Sequence, residues 1–451
     1  MDLMSPTDAM FLLAESREHP LHVGGLQLFT PPSGAGPEFA GGVYAALMGH
    51  EQVSSTFRKR PRAAGGITSL GWTYDDDVDL EYHVRRSALP APGRVRELLE
   101  LTSRLHGGLL DRHRPLWEAH VIEGLADGRF AVYTKMHHVL VDGISALKLL
   151  QSGLSSSPDD TKVVAPWALP SDEPEPAEPD RPGWLRRAAG AVRSMAEMGP
   201  STLGLARAAL LQQQLTLPYR APRTMLNVPI GGARRCAAQS WSLERVKAVK
   251  TAAGVSVNDV VLAMCSGALR AYLTEQDALP DRPLVSMVPV SLRNENDRAG
   301  GNQVGAVLCN LATHLDDPAQ RLDTIHTSMV QNKKVLTQLP RTQAVALSLL
   351  MVSPATVSGM LGLASGPPPF NVTISNVPGL REPLYCNGAR LDGNYPMSIA
   401  LDGQALNITL ANNADNLDFG LVGCRRSVPH MQRLLGHLDT SLKDLERAVG
   451  I

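Results

Sequence analysis

The sequence predicts an α/β protein built from two domains. A chain of 451 residues exceeds the usual size of one domain. Strand-like and helix-like patterns occur together in both halves, and the composition changes abruptly after Leu154, where Ser, Pro, Asp and Glu become dense. We therefore predict domains at 1–154 and 233–451, joined by a Pro-rich acidic linker at 155–183 and a helical crossover segment at 184–232.

The first half is predicted to begin with a helix and to continue with strands that lead to a pair of histidines. Ser5 and Pro6 form a typical helix start. The spacing of apolar residues predicts the next elements in this order: a strand at 21–29, a helix at 42–49, a strand at 68–74, a helix at 94–109 and strands at 117–124 and 129–134. An Asp-Gly turn within 124–128 is predicted to join the last two strands.

The second half is predicted to mix strands and helices in the same way. Its elements are a strand at 233–243, helices at 244–253 and 257–274, strands at 283–290 and 303–315, helices within 318–363, strands at 370–375 and within 389–423, and a helix at 429–448. The segment before it, 183–214, is amphipathic and carries Arg186, Arg187 and Arg193. We favour a crossover helix between the domains, and a helix on a lipid surface is the alternative.

Composition excludes several classes of protein. The formal net charge is −1, and no basic stripe suggests nucleic-acid binding. The five cysteines never form a C-x-x-C pair, which indicates free thiols in a reducing compartment. No apolar run is long enough to span a bilayer, and the N-terminus lacks the pattern of a secretion signal. We expect a cytoplasmic protein, either soluble or in peripheral contact with the inner membrane or lipid inclusions.

The motif that best indicates chemistry is His-His-x-x-x-Asp-Gly, formed by His137, His138, Asp142 and Gly143. It lies where the strand at 129–134 gives way to helical spacing. Histidine titrates nearest to neutral pH and therefore suits a general base. Gly143 removes side-chain bulk where the backbone or a substrate passes closely. One of the histidines is therefore a candidate catalytic residue.

Three interpretations of this motif compete. A metal site is disfavoured because adjacent strand residues point to opposite faces, and no other cluster of ligand residues has suitable spacing. We therefore expect no bound metal. A purely structural role for both histidines is the second interpretation. The third, which we prefer because of the other motifs, places one histidine in a substrate channel while Asp142 braces the turn.

Four further motifs accompany the histidine motif, and each has an ordinary structural explanation when taken alone. They are Pro115-Leu116-Trp117, Asn258-Asp259-Val260-Val261-Leu262-Ala263, Pro289-Val290-Ser291-Leu292-Arg293 and Ser375-Asn376-Val377-Pro378-Gly379. In this order, and with Gly231-Gly232-Ala233-Arg234, they resemble the wax ester synthase/diacylglycerol acyltransferase family. The resemblance covers nearly the whole chain, whereas the histidine motif alone is shared by a wider superfamily of CoA-dependent acyltransferases.

This resemblance implies two chloramphenicol-acetyltransferase-like domains, each a mixed sheet with flanking helices, and a tunnel between them. It implies His138 as the general base, acyl-CoA as co-substrate, diacylglycerol or a fatty alcohol as acceptor, and no cofactor. It matches Arg293 as the partner of Asp142 in a pair that fixes geometry. His137 and Gly143 receive structural roles within the motif.

Two assignments stay open at the level of sequence. Asn258 is a candidate donor to the oxyanion on motif grounds, and capping of the helix is its alternative role. Direct acyl transfer is preferred over a nucleophilic serine because the chain has no G-x-S-x-G elbow. The alternative functions are a carrier-protein-dependent condensation enzyme and a non-catalytic lipid-binding protein of the same fold.

Overall fold

The computed structural model describes residues 4, 6–64, 67–170, 220–291, 304–338 and 367–451. Its α-helices are α1 (Pro6–Ala14), α2 (Phe39–Met48), α3 (Ser55–Arg58), α4 (Leu80–His83), α5 (Val95–Gly107), α6 (Gly143–Ser152), α7 (Leu243–Ala253), α8 (Val257–Glu275), α9 (Pro318–Gln338) and α10 (Arg433–Ala448). Its strands are β1 (His22–Thr30), β2 (Lys59–Ala64), β3 (Ile67–Tyr74), β4 (Val84–Ala88), β5 (Trp117–Glu123), β6 (Phe130–His137), β7 (Arg234–Ser242), β8 (Val285–Ser291), β9 (Val304–Asn310), β10 (Val372–Val377), β11 (Tyr385–Cys386), β12 (Ala389–Met397), β13 (Leu406–Asn413) and β14 (Asn416–Cys424).

The described strands form two six-stranded sheets and a separate pair, β2 with β3. The first sheet has the order β11-β12-β1-β6-β5-β4, and the second has the order β7-β14-β13-β10-β8-β9. Both sheets are mixed, because β4 runs parallel to β5 in the first, and β10 runs parallel to β8 and β13 in the second. The predicted α/β class with two mixed sheets is confirmed.

The first sheet includes two strands from the second half of the chain. β12 pairs antiparallel with β1, from Gly24 opposite Met397 to Thr30 opposite Arg390, and β11 pairs with the outer edge of β12. The prediction of a single domain at 233–451 differs from the structure at 385–397, where β11 and β12 join the first sheet. The alternation of apolar and polar residues shows that a strand has one buried face, but it does not identify the neighbouring strand. The pairing of β12 with β1 could therefore not be predicted from the sequence pattern.

The described part of the predicted linker, 155–170, is not an exposed connection. Ser155 forms a β-bridge with Tyr385, and Trp167 is only 2% exposed. The Trp167 ring stacks on Trp117 with the ring centroids 5.1 Å apart. The prediction of an exposed linker is therefore wrong for residues 155–170. A few buried apolar side chains are enough to pack a mostly polar segment against a hydrophobic core. The remaining linker and the amphipathic segment at 183–214 lie outside the described residues.

Each sheet packs its own apolar core. In the second half, α8 and α10 lie against the sheet and contribute buried side chains such as Leu269, Tyr272 and Leu438. In the first half, Trp117 and Phe130 lie at the centre of a smaller core. None of the described helices is long and apolar enough to cross a membrane alone; α7 and α8 pass that test only as a pair bent by 103°.

The elements around the histidine motif agree closely with the sequence analysis. β5 and β6 are antiparallel neighbours, and the predicted turn between them contains Gly124 (φ +86°) and Gly128 (φ +80°). Positive φ is readily adopted only by glycine, which explains its use at both positions. The short elements α3, β2, α4 and β4 were not predicted, because four to six residues carry too little periodicity to recognise.

Candidate active site

The two motif histidines lie at the end of β6, where the chain turns towards α6. The His137 N–H donates to the Leu116 carbonyl (2.9 Å), and the His138 N–H donates to the Leu21 carbonyl (2.9 Å). α6 then begins at Gly143. Both histidines are therefore fixed through their backbones, one by the Pro-Leu-Trp motif and the other by the residue before β1.

The two imidazole rings have different surroundings. His137 is completely buried, with its Nε2 3.2 Å from Oε1 of Glu15 and its Nδ1 accepting the Val139 N–H at 3.2 Å. The Nδ1 atom therefore acts as a hydrogen-bond acceptor, and the Nε2 atom is the one that lies beside the carboxylate. His138 is only half-buried. His137 is therefore enclosed by protein, whereas the His138 ring is partly exposed; their structural and catalytic roles stay predictions.

Glu15, at the end of α1, connects the two histidines. Its carboxylate accepts the Leu21 N–H (3.1 Å) and an Arg112 Nη2 hydrogen bond (3.0 Å) in addition to its contact with His137. Burial raises the pKa of this carboxyl, but His137, Leu21 and Arg112 together outweigh burial and lower it below its usual value. Through Leu21, whose carbonyl accepts the His138 N–H, the same carboxylate helps to position both rings.

His138 stacks on Phe11 of α1, with the ring centroids 4.6 Å apart and the planes inclined by 17°. Burial is the main reason that its pKa is lowered, and the neighbouring His137 lowers it further, while Asp142 and Asp8 act in the opposite direction. A lowered pKa keeps the ring neutral at neutral pH, which is the state that accepts a proton. The role of His138 as the general base stays a prediction.

Asp142 caps α6. Its Oδ1 accepts the Ser145 N–H at 2.8 Å, so the carboxylate braces the turn after the histidines, as the sequence analysis proposed. A Cβ placed on Gly143 would meet no atom of the described residues within 4 Å, so packing against this part of the chain does not require glycine there. Arg293 lies outside the described residues, and its pairing with Asp142 stays a prediction.

Asn258 is half-buried at the second position of α8. The helix is capped by Ser256, which accepts the Asp259 N–H (3.2 Å) while Asp259 accepts the Ser256 N–H (2.9 Å). This reciprocal pair satisfies the helix terminus without Asn258. The alternative capping role for Asn258 is therefore wrong, and its oxyanion role stays a prediction.

Two of the flanking motifs contact the histidine motif. Leu116 is fully buried and forms an apolar cluster with side chains of α1. Val139, which follows the two histidines, packs against this cluster. On the other side, Leu147 of α6 packs against Val377 of the Ser-Asn-Val-Pro-Gly motif. The second sheet therefore reaches the helix that follows the histidines, and the seam between the two halves runs beside the site.

Glu15 and Arg112 are the site residues that the sequence analysis did not identify. Glu15 ends an apolar helical segment and Arg112 lies in a loop, so neither belongs to a recognisable spacing. The one available signal was a carboxylate near the end of the predicted first helix. Its role became visible only when α1 was placed against the end of β6.

Two mixed sheets with an exchanged strand, and a His-His-x-x-x-Asp-Gly turn beside the seam between them, define a protein of the chloramphenicol-acetyltransferase-like class. Residues 4–261 match the wax ester synthase/diacylglycerol acyltransferase catalytic domain, and residues 300–446 match the C-terminal domain of that family. The chain belongs to the wax ester synthase/diacylglycerol acyltransferase family, which confirms the resemblance, and it is an acyltransferase.

Known relatives agree along the full length. A putative diacylglycerol O-acyltransferase of Mycobacterium tuberculosis is 66% identical, with 99% of this chain and 100% of the relative covered. The O-acyltransferase WSD of Acinetobacter baylyi is 39% identical, with 99% and 97% covered. The solved wax ester synthase/diacylglycerol acyltransferase of Marinobacter aquaeolei is 41% identical, with a TM-score of 0.79 and full coverage of both chains.

A more distant structure shares the fold alone. The first condensation domain of the CDA synthetase aligns with a TM-score of 0.54 at 15% identity, with 99% of this chain and 96% of that chain covered. This likeness supports the two-domain architecture and carries no information about substrates.

Proposed function

We propose that this protein transfers an acyl group from acyl-CoA to the hydroxyl group of diacylglycerol or a long-chain alcohol, giving triacylglycerol or a wax ester. The observation that carries the proposal is His138, a half-buried ring with a lowered pKa, fixed at its backbone by Leu21 and at its face by Phe11. The names of the relatives, which refer to diacylglycerol and wax esters, support these two acceptors.

In the proposed reaction His138 accepts the proton of the acceptor hydroxyl. The oxygen attacks the thioester carbonyl, and the C–O bond forms to give a tetrahedral oxyanion, for which Asn258 is our candidate donor. The C–S bond then breaks, and His138 returns the proton to the departing thiolate. We also propose a water-poor passage at His138, because holding two lipids together and excluding water would favour transfer over hydrolysis.

Direct transfer is favoured over an acyl-enzyme. All five cysteines are buried. Hydrogen bonds from Ser427 and from backbone N–H groups outweigh burial and lower the pKa of Cys424, but this residue ends β14 in the apolar core of the second sheet. Burial raises the pKa of the Cys236 thiol to about 12 and that of Cys309 to about 12. A thiol that holds its proton so firmly is a poor nucleophile. Ser145, the serine nearest to the motif in the sequence, lies in the first turn of α6 and does not belong to a G-x-S-x-G elbow. The proposal also includes peripheral contact with membranes or lipid inclusions, where such acceptors reside.

The test uses purified full-length protein with radiolabelled palmitoyl-CoA, or palmitoyl-acyl carrier protein in a parallel reaction. Hexadecanol and dioleoylglycerol are offered separately, and the products are resolved by lipid chromatography. We expect labelled ester with the CoA donor, and a loss of about 10²- to 10⁴-fold in kcat for His138→Ala with an unchanged circular dichroism spectrum. Product from the carrier protein alone would favour the condensation-type enzyme. Full esterification by His138→Ala would overturn the assignment of the base.

A further inference from the structure

A second feature of the molecule is a cavity whose lining includes five arginines. It has a volume of about 950 Å³ and opens between the loop after α1, the end of α5 and the start of β7. Its arginines are Arg17, Arg104, Arg234, Arg235 and Arg425. The described lining contains two carboxylates, Glu18 and Glu100, and Glu100 is already 3.1 Å from Arg96 outside the cavity. The wall therefore carries an excess of positive charge.

The positive charge of this wall is not neutralised within the described part of the chain. Arg17, Arg104 and Arg425 are exposed, and none of them forms an ion pair with another described residue. Arg234 is only 4% exposed, and its Nη2 donates to the backbone carbonyls of Glu18 (2.7 Å) and Ala400 (3.2 Å). A concave surface that concentrates one sign of charge raises the local concentration of counter-ions.

The cavity is built by close contact between the two halves of the chain. A Cβ on Gly232 would lie 2.5 Å from the Arg17 carbonyl oxygen, and a Cβ on Gly107 would lie 3.4 Å from the Arg234 nitrogen. Glycine at position 232 therefore lets the loop after α1 approach β7 closely. This accounts for the Gly231-Gly232-Ala233-Arg234 motif, to which the proposed reaction gives no role.

The residues that line the cavity are linked to the histidine motif by a hydrogen bond and by chain connectivity. Lys135 of β6 donates from Nζ to the carbonyl of Gly108, a lining residue, at 3.0 Å. On the opposite side of the cavity, Arg17 follows two residues after Glu15, which contacts His137. The cavity and the candidate active site are therefore supported by the same ends of α1 and β6.

We propose that this cavity binds a phosphate-bearing anion of nucleotide size, held by the guanidinium groups of Arg17, Arg104, Arg235 and Arg425. Guanidinium groups form paired, charge-assisted hydrogen bonds with phosphate, and the volume lies within the range of small-molecule sites. Because the arginines come from three separate segments and line a concave site instead of a flat face, the site favours a soluble phosphate ester over a headgroup held in a bilayer. Resting on the proposed function, we assign the site to the adenosine bisphosphate end of coenzyme A.

The test measures the affinity of the full-length protein for adenosine 3′,5′-bisphosphate by titration calorimetry, with sodium pyrophosphate as competitor. We expect Arg104→Ala/Arg425→Ala to bind at least tenfold more weakly, and Arg104→Lys/Arg425→Lys to recover part of the loss. Arg390→Ala removes an exposed arginine of β12 and is the control for charge, with unchanged binding expected. All variants should keep the melting temperature of the wild type, since the substituted side chains are exposed.

Two further measurements separate the possible failures. Unchanged bisphosphate affinity in the double alanine variant, or arginine-dependent flotation with phosphatidylglycerol vesicles without any bisphosphate binding, would overturn the assignment. Bisphosphate binding that depends on Arg104 and Arg425, in a protein that forms no ester, would leave the cavity assignment intact and overturn the proposed function. Ester formation with an unaltered KM for palmitoyl-CoA in the double variant would overturn the coenzyme A assignment alone.

Discussion

The two sheets differ in the kind of side chain that they bury. Buried ionisable groups are concentrated around β1, β5 and β6 of the first sheet, namely His22, Glu118, His120, Lys135 and His137. The core between the second sheet and its helices α8 and α10 is mainly aliphatic, with side chains such as Leu269 and Leu438. The difference indicates that the first half supplies the ionisable groups around the histidine motif, while the second half supplies mainly an apolar core and the helix that carries the candidate donor Asn258.

The buried charges of the first half are retained because they are paired or hydrogen-bonded. Lys135 Nζ donates to the carbonyls of Leu105 and Gly108, both at 3.0 Å, and lies 3.4 Å from Glu118. Burial raises the pKa of Glu118, but His120, Lys135 and Arg85 together lower it to about 2. A polar network of this kind tolerates little movement, since each member left unpaired would carry a desolvation cost. It holds β6, and with it the histidine motif, in one position.

The largest loss of stability is expected at the contact between the second sheet and the exchanged strand. A Cβ on Gly420 of β14 would lie 1.8 Å from the Pro396 carbonyl oxygen of β12. We expect Gly420→Ala to reduce the free energy of unfolding by about 3 kcal/mol, the upper end for overpacking, because backbone must move to admit the methyl group. Urea denaturation measures this change, and kcat per folded molecule should stay within about twofold.

Gly436→Ala is the matched control for that substitution. Gly436 is exposed on α10, and a Cβ there would meet no atom within 4 Å among the residues that the structure describes. Alanine is favoured over glycine in helices by up to about 1 kcal/mol, so this variant should be as stable as the wild type or more so. Equal stability of the two variants would contradict the importance of the contact between β14 and β12.

In the first half, Glu15→Gln should affect both stability and chemistry. The amide can still accept the Leu21 N–H, but the charged contacts with Arg112 and His137 are lost. We expect a loss of about 2 kcal/mol in the free energy of unfolding, within the range for hydrogen bonds to charged groups. We also expect kcat to fall at least tenfold, because both histidines are positioned through this carboxylate.

The pH dependence and a matched ion pair provide the controls. The pKa of Glu15 is lowered in the folded state, so its contribution should be complete above its ordinary value of 4.5 and disappear as pH falls through the lowered pKa. Glu446→Gln removes a carboxylate 2.7 Å from Arg245 in the second half and should leave kcat unchanged. A similar loss of kcat in both variants would contradict the division of roles between the halves.

The sequence predicted the local elements of the site well, and the long-range contacts poorly. The strand that ends at the histidines and the turn capped by Asp142 follow from residue spacing and capping chemistry. The contact of Glu15 with His137 and the pairing of β12 with β1 join residues far apart in the chain, and local periodicity does not specify such partners. The burial of Trp167 was not predicted because the amino-acid composition describes the average polarity of a segment. One buried aromatic ring is enough to hold such a segment against the protein core.

The smallest expected effect separates two roles of Asp142, one as a helix cap and one as a charge near His138. Asp142→Ala removes the acceptor of the Ser145 N–H and should cost about 1 kcal/mol of stability, whereas Asp142→Asn keeps a capping side chain and should cost much less. The Asp142 charge raises the pKa of His138, although burial and His137 dominate and lower it overall. Both variants should therefore lower that pKa further.

The pH profile of kcat/KM then distinguishes the two roles, because a general base works only in its neutral form. Activity of the wild type should fall as pH drops through the His138 pKa, which lies below the ordinary value of 6.5. In both variants this acidic limb should move to lower pH, although only the alanine variant loses stability. A limb that moves in Asp142→Ala and stays in place in Asp142→Asn would show that the cap, and not the charge, controls the His138 ring.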